Sequence, residues 1–219
     1  MKKYVKKTTQ FFKLFIPPIL YAFIKKIFRY FKPKHAELFD GYSELFEKYF
    51  HKAINYGEYG MGLSTEYVCQ NGVRNIISVD TNQEWCSIVK SKLSGECQAN
   101  LSSIDLGDIV GGWGYPKDYS KRKNIDSYLN FIWSFKIKPD FVLIDGRFRV
   151  ACFLKTYIEA KPDTTVIFDD YPIRYYYHVV EELIKPIEFN NRQAVFKVPK
   201  DRNFKFAQEL LDDFKHVMK

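Results

Sequence analysis

The chain lacks an apolar run long enough to cross a membrane as a helix. Its longest mostly apolar stretch, 11–24, contains Lys13 and the pair Pro17-Pro18, whereas a bilayer-crossing helix takes about 20 apolar residues. No small-residue cleavage site follows and the next residues are basic, which argues against a secretory signal peptide. The four cysteines, Cys69, Cys86, Cys97 and Cys152, form no C-x-x-C pair and have no histidine nearby at zinc-ligand spacing. Cys69 and Cys152 lie in apolar runs. Reduced, buried thiols in a cytoplasmic body are therefore expected. Internal repeats and low-complexity tracts are also missing.

Acidic residues are absent from the first 34 positions, which hold ten Lys or Arg. The rest of the 219 residues carry 24 basic and 26 acidic side chains, so the net charge of +8 is entirely N-terminal. A body close to neutral has no broad phosphate-binding face, and no nucleic-acid partner is expected. After Pro18, helical spacing places Ile19, Leu20, Phe23, Ile24, Ile27, Phe28 and Phe31 on one half of a cylinder. Lys25, Lys26, Arg29 and Lys32 fall on the other half. That pattern suits a helix lying in an anionic membrane interface. The expected organisation is a membrane-associating segment, 1–34, and a folded domain, 35–219, placed peripherally at the inner face of the cytoplasmic membrane.

What is present from residue 36 on is alternation. Apolar residues at three- and four-residue steps predict an amphipathic helix over 36–53. A strand ending at Glu58, a glycine turn and a helix over 64–70 follow. Strands are predicted at 75–80, 98–104, 141–145 and 164–169, with helices at 84–93, 149–160 and 176–184. Residues 187–198 read as a hairpin around Asn190-Asn191, and 203–217 as a closing helix. Strands alternating with helices imply an α/β fold, a mostly parallel sheet with helices on both faces and an antiparallel C-terminal hairpin.

Residues 58–65, EYGMGLST, join the first strand to a helix. Gly60 and Gly62 allow close backbone approach, and the helix N-terminus offers free N–H groups. Asp80 ends the next strand, where a carboxylate can accept hydrogen bonds from both hydroxyls of a ribose. The third glycine of G-x-G-x-x-G is missing, since position 65 is Thr, which weakens a nicotinamide-cofactor reading.

This constellation resembles class I S-adenosylmethionine-dependent methyltransferases. Their acid-x-Gly-x-Gly motif is matched by Glu58, Gly60 and Gly62, with Ser64 where a third glycine is usual. The resemblance spans roughly residues 36–200 and implies a Rossmann-like, seven-stranded sheet. It also implies S-adenosylmethionine as cofactor, held by Glu58, Gly60, Gly62, Ser64 and Asp80, with Asp105 and Asp108 competing for the adenine and Asp105 favoured. The blocks 58–65, VLIDGRFRVACFLK (142–155) and VIFDDY (166–171) look most like bacterial methyltransferase-like proteins of surface-polysaccharide gene clusters. That likeness implies O-methylation of a saccharide or glycoconjugate intermediate. The competing reading is a non-catalytic methyltransferase-like scaffold in a membrane-bound biosynthetic complex.

Sheets of this kind bind ligands at the carboxyl ends of their strands. Asp145 and the pair Asp169-Asp170 are expected there, and three carboxylates suit a hard cation such as Mg2+ that polarises an acceptor hydroxyl. Asp145, Asp170 and His178 are the candidate catalytic residues. Arg147, Arg149 and Arg174 are candidates for binding an acidic acceptor. Trp113 and Tyr115, in the glycine-rich stretch 108–126, are candidates for stacking on a sugar ring.

Overall fold

The computed structural model describes residues 37–218, apart from 94, 96 and 111–114. The basic segment 1–34 and Trp113 therefore lie outside the described residues. In chain order the elements are α1 (Glu44–Phe50), β1 (Asn55–Tyr59), α2 (Leu63–Gln70), β2 (Asn75–Asp80), α3 (Gln83–Lys92) and β3 (Gln98–Ser103). A small hairpin, β4 (Ile109–Val110) and β5 (Tyr115–Pro116), comes next, then α4 (Ile125–Asn130), β6 (Phe141–Ile144), α5 (Arg149–Glu159) and β7 (Thr165–Asp169). The chain closes with β8 (Glu188–Phe189), β9 (Gln193–Lys197) and α6 (Phe204–Phe214).

Seven strands form one sheet in the order β3-β2-β1-β6-β7-β9-β8. The first five are parallel, and β9 runs antiparallel to both β7 and β8. This is the expected Rossmann-like architecture. The central strand β6 is apolar throughout because both of its faces are covered. Its side chains alternate between two cores: Val142 and Ile144 pack with Phe153 and Leu154 of α5, and Phe141 and Leu143 with Phe46 and Phe50 of α1. Phe46 meets Phe141 edge-on at 5.8 Å. Burying each such ring contributes about 1.5–3 kcal/mol.

Four local expectations need correction. The helix expected over 36–53 is confined to Glu44–Phe50, because Phe39, Asp40 and Gly41 take positive φ and turn the chain before it. The segment read as a helix over 176–184 is a 3-10 helix, Tyr175–Glu182. The glycine-rich stretch 108–126, read without a helix, runs at Ile125 into α4, whose Ile125, Tyr128 and Leu129 are buried, followed by Trp133, which donates to Tyr59 OH at 2.9 Å. Lastly, Cys69 and Cys97 are disulfide-bonded rather than reduced, with Cα atoms 5.5 Å apart, and only Cys86 and Cys152 are free thiols. Pairing of β3 with β2 carries Cys97 to the end of α2, a proximity that spacing along the chain does not reveal.

Among the described residues, no helix is long and apolar enough to cross a membrane. The sheet order reverses between β1 and β6, one leading out to β2 and β3 and the other to β7. In open sheets of this kind the ligand crevice lies at such a reversal, beyond the carboxyl ends of the strands.

Candidate functional site

At that crevice two turns touch through their backbones. Gly60 leaves β1 with φ +93°, and a Cβ there would lie 2.5 Å from Gly146 Cα. Asp145 N donates to Tyr59 O at 2.9 Å, and Gly60 N to Val79 O at 2.8 Å. The ends of β1, β2 and β6 are thus held level, which brings the 60–62 turn, Asp80 and Asp145 to one edge. Gly62 is less constrained: its backbone is extended, and a Cβ would meet Trp85 at an ordinary 3.8 Å. The Trp85 indole donates to Met61 O at 2.7 Å and is partly exposed. Sequence reading missed this residue, although an aromatic five positions beyond Asp80 was a signal available to it.

Glu58 does not face the crevice. It is fully buried and accepts hydrogen bonds from Tyr56 (3.0 Å), Ser64, Thr65 (2.5 Å) and Ser78 (2.9 Å). Thr65 Oγ1 in turn accepts from Gly62 N at 2.9 Å. Glu58 therefore fastens the turn to the start of α2 from beneath, and Ser64 belongs to this network. Burial pushes the Glu58 carboxyl up to about 7, and the four hydroxyl donors restrain the rise.

Asp80 stands at the end of β2 and is half-buried. Its Oδ1 accepts from Thr81 N (2.7 Å) and Asn82 N (2.9 Å). Burial raises its pKa, against those amides and the charge of Arg147. Capping of α3 falls to Asn82, which accepts from Trp85 N, so Asp80 is not spent as a helix cap. Asp105, after β3, is exposed and bound to Lys121 and to Gly107 N. Lys121 lowers its pKa.

Asp145, Asp169 and Asp170 do converge, but around a guanidinium. The Arg149 side chain is only 5% exposed, and its Nη2 lies 2.9 Å from Asp145 Oδ1. Its Nη1 lies 3.3 Å from Asp170 Oδ2 and 3.6 Å from Asp169 Oδ2. Arg192 takes both oxygens of Asp169, at 2.8 and 2.9 Å, and Arg174 takes Asp170 at 2.8 Å. Among the described residues no group of three His, Cys, Asp or Glu is arranged to hold a metal ion. These carboxylates do not fit a divalent cation, because arginines fill the cation positions. Asp145 is the most accessible of the three, with 28% of its side chain exposed. Burial first, and then the charge of Asp169, raise its pKa well above the usual carboxylate range, while Arg149 opposes the rise.

Of the expected acceptor residues, Tyr115, Arg147 and Arg174 come together. The Arg147 guanidinium lies 4.3 Å from the centre of the Tyr115 ring. Burial acts to raise the Tyr115 phenol, but Arg147 and Arg174 outweigh it and hold the phenol below its usual range. Arg149 is part of the buried network and not of this group. His178 stands apart from both: its Nε2 bonds Tyr171 O at 3.2 Å, and its ring stacks on that of Tyr171 at 4.7 Å.

No protein-family model matches the chain, and no curated protein matches it. Among solved structures, a methyltransferase-like protein from Silicibacter pomeroyi is 28% identical, with a TM-score of 0.68 over 84% of this chain and 95% of that one. The N-methyltransferase NodS from Bradyrhizobium japonicum, solved with S-adenosyl-L-homocysteine, is 13% identical, with a TM-score of 0.47 over 77% of this chain and 92% of that one. The second likeness is too distant to bear on function. The first, with the strand order above, gives this chain the Rossmann-like fold of methyltransferases.

Proposed function

We propose that this chain transfers a methyl group from S-adenosylmethionine to a hydroxyl of a saccharide or glycoconjugate intermediate of surface-polysaccharide biosynthesis, at a membrane surface. The observation that carries this reading is the level placement of the 60–62 turn, Asp80 and Asp145 at the point where the strand order reverses. The cofactor supplies a methyl group activated on a sulfonium. The turn, with the N-terminal amides of α2, offers backbone donors to it, and the Asp80 carboxylate is placed to accept from the ribose hydroxyls. Trp85 covers the same turn from the side of α3. Asp105 remains the candidate for the adenine.

Asp145 is the residue we assign to the acceptor proton. A general base works best when its proton affinity is near the working pH, and burial beside Asp169 moves Asp145 in that direction. As the acceptor oxygen takes the methyl group, its proton passes to the Asp145 carboxylate. Arg149 fixes the rotamer of that carboxylate. Asp170 and His178 are held by Arg174 and Tyr171, and they take supporting rather than proton-transfer roles. A saccharide acceptor is favoured by the ring of Tyr115 beside Arg147 and that of Tyr176 beside Arg174, since an aromatic face packs well on the apolar face of a sugar.

Transfer of labelled methyl from S-adenosylmethionine to a panel of saccharides tests the reaction. Asp145→Asn should lower kcat by about a hundredfold or more with little change in KM. An unchanged kcat would remove Asp145 from the chemistry. The membrane part is supported by the basic face described above and is tested by flotation with anionic vesicles. Replacing Lys25, Lys26, Arg29 and Lys32 with Gln in the full chain should abolish co-flotation, and undiminished flotation would refute membrane association through this face.

A further inference from the structure

Resting on that reading of the crevice, we infer that Arg147, Arg174 and Tyr115 form a recognition site for an oxyanion, a carboxylate or a phosphate ester, carried by the acceptor. The acceptor class is then an acidic sugar rather than a neutral one.

The arginines at this edge are unequally committed. Arg149 and Arg192 are absorbed by Asp145, Asp169, Asp170 and Asp40. Arg147 makes no ion pair among the described residues; its guanidinium rests on the Tyr115 ring at 4.3 Å and its backbone N–H on Tyr128 OH at 3.3 Å. Arg174 is half-committed, with Nη2 on Asp170 at 2.8 Å and Nη1 on the phenols of Tyr176 and Tyr177 at 3.3 and 3.4 Å. A guanidinium has five N–H donors, so several on both residues remain for a ligand.

The Arg147 guanidinium lies over the Tyr115 ring, and the charges of Arg147 and Arg174 together hold that phenol below its usual range. Two arginines with donors to spare beside one tyrosine favour a negative group, and planar guanidiniums bind carboxylate and phosphate oxygens in pairs. The place is suitable for an acceptor. Arg147 lies two residues beyond Asp145, and its charge reaches Asp80, so an anion held there would keep the rest of its molecule beside the crevice. Tyr176, 46% exposed and bonded through its phenol to Arg174 at 3.3 Å, adds an aromatic surface beside that guanidinium.

The test is a ligand-observed NMR titration of the full chain with glucuronate, glucose 6-phosphate and glucose, each with and without saturating S-adenosylhomocysteine. At least one anionic probe should bind tenfold or more tightly than glucose in both conditions, and the two anionic arms show whether carboxylate or phosphate is preferred. High salt should shrink the preference. Arg147→Gln should abolish it, and Arg147→Lys, which keeps the charge but not the fork, should retain part. Arg174→Gln gives the same test if Arg147→Gln fails to fold by circular dichroism. Equal binding of all three probes, no binding of any, or a preference that survives Arg147→Gln would overturn the inference. So would a preference seen only without S-adenosylhomocysteine, because the anion recognised would then be the cofactor's own carboxylate. Anion preference without any S-adenosylhomocysteine binding would overturn the cofactor reading and leave the anion site standing. S-adenosylhomocysteine binding without anion preference would do the reverse.

Discussion

Gly60 and Gly146 meet backbone to backbone: a Cβ on Gly60 would lie 2.5 Å from both Cα and N of Gly146. This contact sets the separation of the turns after β1 and β6, and therefore the floor of the crevice. Gly60→Ala adds both this overlap and a strained positive φ, and should cost about 3 kcal/mol or more in urea unfolding. Gly62→Ala should stay within about 0.5 kcal/mol of the parent protein, since its extended backbone and open side accept a methyl group. Equal losses for the two variants would show that the glycines are not distinguished in this way.

The buried Glu58 carboxyl should make stability depend on pH. Its pKa rises from 4.5 to about 7 on folding. A raised folded-state value means that its contribution is complete below pH 4.5 and is lost as pH climbs through about 7. The loss amounts to about 3 kcal/mol on the linkage scale. Glu58→Gln cannot titrate, so whatever offset separates the two proteins should shift by that amount between pH 4.5 and 8, in favour of Gln at high pH. Parallel stability curves would contradict the account.

Cys69 and Cys97, 28 residues apart, are joined. Alkylating the unreduced, unfolded protein should label two cysteines, and reduction should raise the number to four. Cys97→Ser should lower stability by about 3–4 kcal/mol on the chain-entropy model. Four labels without reduction would refute the bond. Since disulfides persist chiefly in oxidising compartments, the same experiment on protein taken from cells bears on where the chain resides. The expectation of a cytoplasmic body leaned on reduced thiols, and that support is gone.

Arg149 replaces a metal at the centre of the acidic cluster. Arg149→Met would leave Asp145, Asp169 and Asp170 without their shared cation, and should destabilise by about 3–5 kcal/mol. Arg149→Lys should recover only part, because one ammonium cannot span the three carboxylates. An excess of chelator should leave the melting temperature of the parent protein unchanged, and a clear drop would restore the metal reading.

The order of strands and helices was legible because the strand runs are short and apolar and are separated by glycine or asparagine turns, as at Asn71-Gly72. Asp80 and Asp145 were found because strand ends are visible in sequence. What the side chains do at those ends was not. Glu58 has the right residue type for a ligand position, yet Tyr56, Ser64, Thr65 and Ser78 draw it beneath the loop. Asp145, Asp169 and Asp170 read as a metal set because the arginines that neutralise them come from α5, the 3-10 segment and the hairpin turn. Arg192, in the turn just before β9, gave no local signal: it reaches Asp169 only because β9 pairs antiparallel with β7. The Cys69–Cys97 pair was hidden for the same reason, being a consequence of sheet pairing.

The proposed function stands on the crevice holding S-adenosylmethionine with Asp80 on its ribose. Calorimetric titration of the full chain with S-adenosylhomocysteine, beside Asp80→Ala, tests it most directly. Micromolar binding is expected, weakened by the substitution tenfold or more, about 1.4 kcal/mol. A folded parent protein that binds no S-adenosylhomocysteine, or an Asp80→Ala variant that binds it equally well, would contradict it.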